Sequence, residues 1–163
     1  MPENTEILRA ASEVQYAEEL SALAKADTKP RPPQWKLSPW AVSTFVLGGK
    51  LDSGFEVSPK YIGNRRLIEI AVATLATDRA LLLLGLPGTA KTWVAEHLAA
   101  AIGGDSSLLL QVTAGTAEEA VRYGWNYALL LAQGPSPAAL VPSPARRAMR
   151  EGKIARIEEL TRI

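Results

Sequence analysis

Residues 81–92 read Leu81-Leu82-Leu83-Leu84-Gly85-Leu86-Pro87-Gly88-Thr89-Ala90-Lys91-Thr92, and this stretch decides the fold. The wholly apolar run at residues 80–84 predicts a short strand that is buried on both faces. Residues 91–102 repeat apolar side chains at helical spacing and stop at Gly103-Gly104, so a helix is predicted there. A strand, a glycine-containing turn and a helix in direct succession are typical of a phosphate-binding loop, or P-loop.

The spacing of the loop follows the pattern of Gly, four residues, Gly, Lys and Ser or Thr, with one departure. Gly85, Lys91 and Thr92 match this pattern, while Ala90 stands where the second glycine is usual. An alanine fits this position if the backbone there is helical, with a negative φ. The alternative interpretation is a tight turn between strand and helix that carries an exposed lysine.

The predicted nucleotide-binding residues take distinct roles. Backbone N–H groups of the loop wrap a phosphate, and glycine permits the close approach. The helix after the loop aims its N-terminus at the anion. Lys91 reaches the β- and γ-phosphates and is also assigned as catalytic, and the Thr92 hydroxyl reaches Mg²⁺. The predicted set for ATP comprises Gly85, Pro87, Gly88, Thr89, Ala90, Lys91 and Thr92.

A second acidic site is predicted near the end of the sequence. Residues 153–158 indicate another strand, which ends at the pair Glu158-Glu159. ATPases with a P-loop need carboxylates at the end of a nearby strand, one to hold Mg²⁺ and one to polarise the attacking water. Glu158 is therefore predicted as a metal ligand together with Thr92, although Asp is more usual there. Glu159 is predicted as the catalytic residue that positions the water.

The remaining pattern predicts an α/β fold, a parallel sheet flanked by helices. Residues 1–50 are predicted as a helical extension that contains a Pro-rich linker at residues 29–33, and residues 51–163 as the nucleotide-binding core. Residues 50–60 indicate a loop or a short hairpin. The predicted helices cover residues 3–26, 38–47, 64–77, 91–102, 116–132 and 143–151, and the predicted strands residues 80–84, 107–112 and 153–158.

Two further predictions concern aromatic and histidine side chains. His97, the single histidine, lies in mid-helix without an acidic or hydroxyl partner pattern, so a surface or half-buried position is expected. Thr116 followed by Glu119 resembles a capping box that opens the helix at residues 116–132. Tyr123, Trp125 and Tyr127 are then expected in that one helix, with Trp125 in the core.

Composition excludes several classes of function. The 163 residues carry a net charge of +1, so charge alone gives no reason to expect nucleic acid or an anionic membrane as a partner. The sequence contains no cysteine, which removes disulfides and thiolate metal sites and suits a reducing compartment. The polar, acidic beginning is unlike a signal peptide. We therefore expect a cytoplasmic protein without a membrane span.

Four stretches resemble the MoxR-like group of AAA+ ATPases, in the dynein-related subfamily. They are Tyr61-Ile62-Gly63-Asn64, the P-loop at residues 84–92, Tyr123-Gly124-Trp125-Asn126-Tyr127, and Arg156-Ile157-Glu158-Glu159-Leu160-Thr161-Arg162. In this group alanine before the P-loop lysine is common. The resemblance implies that Ile62 and Gly63 pack beside adenine, and that the last stretch is the Walker B segment.

The resemblance also implies an activity and partners. Members hydrolyse ATP in a ring, expected here to be a hexamer, and remodel a client protein like a chaperone, often with a von Willebrand factor A domain partner. Sensor 1, the arginine finger and the helical lid would follow Walker B. The resemblance therefore implies an incomplete AAA+ domain, an N-terminal part truncated just after Walker B, that hydrolyses ATP poorly alone.

Two other functions remain open from the sequence. One is a nucleotide-binding switch or scaffold that does not turn over ATP. The other is a small-molecule kinase built on the same P-loop. It would need a lid with several arginines and an acceptor site downstream, an arrangement that residues 134–163 do not show.

Overall fold

The computed structural model describes residues 9–159, so predictions for residues 1–8 and 160–163 lie outside the described part. The predicted first helix appears as two pieces that meet at Tyr16. They are α1 (Ser12–Gln15) and α2 (Ala17–Ala26). The Pro-rich linker follows α2 and leads into α3 (Pro39–Leu47).

The predicted start of α3 is confirmed, with a chemical reason. Ser38 is the N-cap, and its hydroxyl accepts a hydrogen bond from the N–H of Ala41. Pro39 stands at the first helical position, where a missing N–H costs nothing. The helix ends at Gly48, where φ is +78°. A Cβ at Gly48 would lie 2.8 Å from the backbone nitrogen of Pro59, so the chain approaches too closely there for any side chain.

The short hairpin and the next helix are also confirmed. β1 (Gly49–Lys50) pairs in antiparallel register with β2 (Glu56–Val57). α4 (Arg65–Ala76) begins after Asn64, whose side chain accepts from the N–H of Arg66. Asn caps a helix well because its short side chain reaches the first free N–H groups.

The hydrophobic core lies between α2, α3, α4 and the helix that follows the P-loop, α5 (Lys91–Gly103). It joins side chains from both sides of residue 50 in one cluster. The division at residue 50 stays a prediction, yet the two stretches share this core. The central side chains are Leu23, Leu37, Ala41, Val42, Phe45, Val46, Ile68, Ala71, Val72, Val94, Leu98, Ala101 and Ile102.

The predicted strand at residues 80–84 is wrong. This run has no strand pairing with the described residues. Leu81 and Leu83 pack against the core, while Leu82 and Leu84 are 60% and 71% exposed. A strand buried on both faces needs hydrogen-bonded neighbours on its two edges, and no described strand supplies one. Only one face of the run is therefore covered.

The other two predicted strands form the parallel pair that the α/β pattern requires. β3 (Leu109–Gln111) pairs with β6 (Arg156–Glu158), with Leu110 opposite Ile157. α8 (Pro144–Glu151) precedes β6 and begins at Ser143, whose hydroxyl accepts from the N–H of Arg146. Helices and parallel strands in this arrangement fit an α/β fold of the P-loop NTPase type.

The predicted helix at residues 116–132 is also wrong, because a strand interrupts it. The chain forms α6 (Glu118–Arg122), β4 (Tyr123–Trp125) and α7 (Tyr127–Gln133). β4 pairs antiparallel with β5 (Leu140–Pro142), a strand that follows a 3-10 turn at Pro137–Ala139. β5 lies outside every predicted helix and strand.

Side-chain contacts show where the helices on either side of β4 begin. Thr116 does not cap the predicted helix, because its hydroxyl instead accepts from the N–H of Thr113 at 2.8 Å. Asn126 caps α7, accepting from the N–H of Leu129. The aromatic side chains therefore do not share a helix. Tyr123 and Trp125 make an edge contact with ring centroids 6.0 Å apart, and Trp125 is exposed rather than in the core.

Among residues 9–159, none of the helices has the length and apolar character needed to cross a membrane.

Candidate nucleotide-binding site

The predicted P-loop is an exposed turn that leads directly into α5. Gly88 has a φ of +80°, a backbone conformation that L side chains rarely adopt. A Cβ at Gly85 would lie 3.3 Å from the Thr89 hydroxyl oxygen and 3.9 Å from Cδ of Lys91. The missing side chain at Gly85 thus leaves room inside the loop, between the side chains of Thr89 and Lys91.

The ammonium group of Lys91 is folded back into this loop. Its Nζ donates to the carbonyl oxygens of Leu86 at 2.7 Å and Gly85 at 3.0 Å, and it lies 3.4 Å from the Thr89 hydroxyl oxygen. The Thr89 hydroxyl in turn donates to the carbonyl of Leu86 at 2.8 Å. The structure therefore brings three predicted site residues, Gly85, Thr89 and Lys91, together around one positive charge.

The backbone of the loop has free donors at the start of the helix. The backbone N–H groups of Gly88 and Ala90 donate no hydrogen bond to any acceptor within residues 9–159. Exposed N–H groups that precede a helix favour an anion, because the helix dipole adds to their partial positive charge.

The backbone of Ala90 differs from the expectation. Its φ is +60° and its ψ is 23°, which is left-handed and not the helical conformation with negative φ that suits alanine. Ala90 is the N-cap of α5, and its carbonyl accepts from Val94 at 2.9 Å. A left-handed alanine costs about 1–2 kcal/mol because Cβ crowds the following carbonyl oxygen. Glycine at this position would avoid that strain.

Thr92 and Pro87 complete the loop. Thr92 lies exposed in the first turn of α5, directly after Lys91. Pro87 is exposed between Leu86 and Gly88 and has no N–H to donate. The Thr92 hydroxyl is a hard oxygen ligand of the kind that Mg²⁺ prefers.

The segment that the resemblance places beside adenine is exposed at Ile62 and Gly63. The Ile62 side chain is 91% exposed. A Cβ on Gly63 would meet the ring and hydroxyl of Tyr61 at 2.7–3.1 Å, so Tyr61 folds over Gly63. The segment follows Lys60, and Asn64 ends it by capping α4. An exposed isoleucine at this place offers an apolar surface for a flat ring.

The two predicted acidic residues differ in their surroundings. Glu158 is half-buried on β6, and its Oε1 accepts from Nη1 of Arg156 at 3.1 Å. The Arg156 guanidinium also donates to the Ser106 carbonyl, at 2.9 and 3.2 Å. Glu159 follows the strand in a left-handed conformation, with φ of +62°. The predicted magnesium carboxylate is thus held by an arginine.

The Arg156–Glu158 ion pair was not predicted from the sequence. Residues two apart on a strand point to the same face, so the spacing of these opposite charges was a usable signal.

A second missed feature is a cluster of rings on the inner side of α5. Trp93 and His97 have ring centroids 4.5 Å apart, and His97 also faces Tyr16 and Phe45 at 5.4 and 6.0 Å. Arg9 lies 4.5 Å above the Trp93 ring and pairs with Glu96 at 2.8 Å. No pattern in the sequence links residues so far apart.

His97 is fully buried, which contradicts the expected surface or half-buried position. Its Nδ1 lies 2.7 Å from the Trp93 carbonyl oxygen, so Nδ1 carries the proton. Its Nε2 has no hydrogen-bond partner among the described residues. Burial lowers the pKa of His97, an effect that the Trp93 carbonyl and Glu96 oppose. Burial therefore favours the neutral form of the His97 ring in the folded state.

Lys60 is a buried ammonium beside this cluster. It forms an ion pair with Glu19 and donates to the Ser58 carbonyl at 2.8 Å. It also lies 4.5 Å and 4.4 Å from the ring centroids of Tyr16 and Phe45. Burial lowers the pKa of Lys60, while Glu19 raises it in part.

Comparison with known proteins identifies the class. The family model described as AAA domain (dynein-related subfamily) matches residues 80–163, just over half of the chain and including the P-loop. The chain therefore belongs to this family, and the predicted AAA+ class is confirmed. Membership indicates a nucleotide-binding domain of a class that includes ATPases.

One similar protein comes from Escherichia coli (strain K12) and carries the name Uncharacterized protein YehL. It is 47% identical over 161 residues, which is 99% of this chain and 44% of the relative. The chain thus spans less than half the length of this relative. No solved structure matches the chain.

Proposed function

We propose that residues 85–92 bind ATP with Mg²⁺. The observation that carries this proposal is the position of the Lys91 ammonium, held within the loop by the carbonyl oxygens of Gly85 and Leu86. The N–H groups of Gly88 and Ala90, in the same turn before α5, make no hydrogen bond to the described residues. Free N–H donors and a positive charge within one turn are what a polyphosphate requires.

Thr92 and Glu158 carry oxygen ligands of the kind that Mg²⁺ prefers. Thr92 would hold it through its hydroxyl, and Glu158 would do so through water, using a carboxylate that Arg156 already orients. Bound Mg²⁺ supplies neutralisation of the phosphate charge. Ile62 and Gly63 would contact the base, because Ile62 presents an exposed apolar side chain.

Nucleotide binding by the purified chain tests this proposal. Titration calorimetry with ATP and Mg²⁺ should show binding that Lys91→Ala weakens about tenfold to 150-fold, since a charge-assisted hydrogen bond contributes about 1.5–3 kcal/mol. Lys25→Ala is the matched control, because Lys25 is an exposed lysine on α2. Equal affinities in wild type and Lys91→Ala would contradict the proposal.

We further propose that the complete protein hydrolyses ATP as a MoxR-like machine in the cytoplasm. Glu159 would position the attacking water, Lys91 would neutralise charge on the transferred phosphate, and subunits would assemble as a hexameric ring that remodels a client protein. A von Willebrand factor A domain protein is the proposed partner. Family membership supports the ATPase class, and the quoted motifs support the MoxR-like group.

Phosphate release by the full-length protein tests the hydrolysis step. Glu159→Gln should keep ATP binding and lose most turnover, because the amide cannot accept the proton of the water. The alternative function is a nucleotide-binding switch or scaffold. Two results together would favour this alternative. The full-length wild-type protein would bind ATP with Mg²⁺, and its rate of phosphate release would be no higher than that of the Lys91→Ala variant.

A further inference from the structure

We propose that Trp93 is a positioning residue that ties the base-binding segment to the P-loop. The inference rests on the proposed ATP binding at residues 85–92 and on the proposed contact of Ile62 and Gly63 with the base. Trp93 lies two residues after Lys91, in the first turn of α5. Its indole Nε1 donates a hydrogen bond of 2.7 Å to the backbone carbonyl oxygen of Lys60.

Two side chains lie against the indole ring. The Arg9 guanidinium carbon lies 4.5 Å from its ring centroid, and the His97 ring lies at the same distance. Arg9 is itself anchored to Glu96, one turn further along α5. A tryptophan held in this way keeps its N–H aimed at one acceptor.

Lys60 is equally fixed at the other end of this hydrogen bond. The N–H groups of Lys60 and Tyr61 both donate to the carbonyl of Val46 on α3, at 2.9 and 3.0 Å. The buried ammonium of Lys60 pairs with Glu19 on α2. The carbonyl that accepts from Trp93 is therefore part of a rigid junction of three helices.

The exposed segment at Ile62 and Gly63 follows this junction directly. Ile62 and Gly63 lie in the short connection between Lys60 and the start of α4 at Asn64. The hydrogen bond from Trp93 to the Lys60 carbonyl links this connection to α5, the helix that carries Lys91 and Thr92. Contacts to the base and contacts to the phosphates would then be held at a fixed relative position, which lowers the entropic cost of binding both.

The proposal predicts a difference between two ligands. Trp93→Phe keeps an aromatic ring in contact with Arg9 and His97 but removes the N–H donor. The affinity for ATP with Mg²⁺ should fall about threefold to tenfold, the size expected for one hydrogen bond. The affinity for inorganic tripolyphosphate, which has no base, should stay within about twofold of wild type. Trp40→Phe, at an exposed tryptophan on α3, is the matched control and should change neither affinity.

A second variant keeps the test independent of folding defects. Ile62→Ala changes a side chain that is almost wholly exposed and should show the same loss for ATP alone. The double variant should lose less than the sum of the two single changes, since both act on one segment. Full additivity would overturn the proposal, as would wild-type ATP affinity in Trp93→Phe or an equal loss for both ligands. If wild type binds neither ligand, the proposed ATP binding itself fails.

Discussion

The carboxylate of Asp27 accepts two hydrogen bonds from Ser38, one from the backbone N–H at 2.7 Å and one from the hydroxyl at 2.6 Å. Asp27 is the residue after α2 and Ser38 is the N-cap of α3. These bonds close the Pro-rich linker into a loop with fixed ends. They hold the two helices that form one wall of the core.

Asp27→Asn should destabilise the protein by about 1.5–3 kcal/mol, the usual effect of losing a charged partner in a buried hydrogen bond. Urea unfolding at neutral pH measures this. Asp52→Asn, at an exposed position of the hairpin loop, is the matched control and should change stability by less than about 0.5 kcal/mol.

The same pair predicts an acid dependence. Burial raises the pKa of Asp27, but the Ser38 hydrogen bonds, the Lys29 N–H and the Arg31 charge outweigh it and leave the pKa below its ordinary value of 3.8. A lowered folded pKa gives stability that is present above pH 3.8 and lost as the pH falls through the folded value. Asp27→Asn should therefore lose less stability than wild type between about pH 5 and pH 2.

Ala90→Gly should stabilise the protein by about 1 kcal/mol. Glycine relieves the left-handed backbone strain, and this gain exceeds the added flexibility of the unfolded chain. Ala95→Gly, in the interior of the same helix, should destabilise by about 1 kcal/mol. Thermal unfolding of the two variants should thus shift Tm in opposite directions. A lower Tm in Ala90→Gly would contradict the observed conformation.

Gly48→Ala and Gly49→Ala form a neighbouring pair with different expected outcomes. Gly48 combines a positive φ with a 2.8 Å approach to the Pro59 backbone, so Ala should cost about 2 kcal/mol or more. At Gly49 the nearest atom to a Cβ is Cγ2 of Thr44 at 3.5 Å, an ordinary contact. Gly49→Ala should change stability by less than about 1 kcal/mol. Similar losses in both variants would contradict the path that the chain takes through residues 48–60.

His97 predicts a second pH dependence, at a higher pH. Burial holds its pKa below 6.5, and the nearby charges of Lys60 and Arg9 act in the same direction against Glu96. Its stabilising contribution is therefore complete well above pH 6.5, declines as the pH falls through 6.5, and levels off below the folded pKa. Because His97 is the only histidine, the slope of Tm between about pH 8 and pH 5.5 should flatten in His97→Leu. An unchanged slope would show that another group is responsible.

Local signals in the sequence predicted the elements with strong end signals. Ser38-Pro39 and Ser143-Pro144 marked the starts of α3 and α8, and the structure shows both hydroxyls capping their helices. Asn64 acts in the same way for α4. A cap is decided by residues within one turn, so a single sequence contains the whole cause.

Errors arose where distant partners decide the outcome. Residues 123–125 form a strand because residues 140–142 pair with them, and helical spacing cannot reveal that pairing. The fully buried position of His97 likewise depends on Tyr16 and Phe45, which come from the first fifty residues. At the site, the loop motif predicted Lys91 at the start of α5, where the structure has it, and its role in binding stays a prediction. The left-handed backbone of Ala90 follows from the folded path of the loop and has no local signal.

The shared core gives the family match a practical limit. Val94, Leu98 and Ile102 of α5 are buried against Phe45 and its neighbours, all upstream of the matched residues 80–163. A polypeptide that starts at residue 80 would expose this apolar face of α5 to water. We expect such a polypeptide to aggregate or to be degraded by proteases during expression. A truncated version of this protein should therefore keep the helices before residue 80, because the region of family similarity is shorter than the unit that folds.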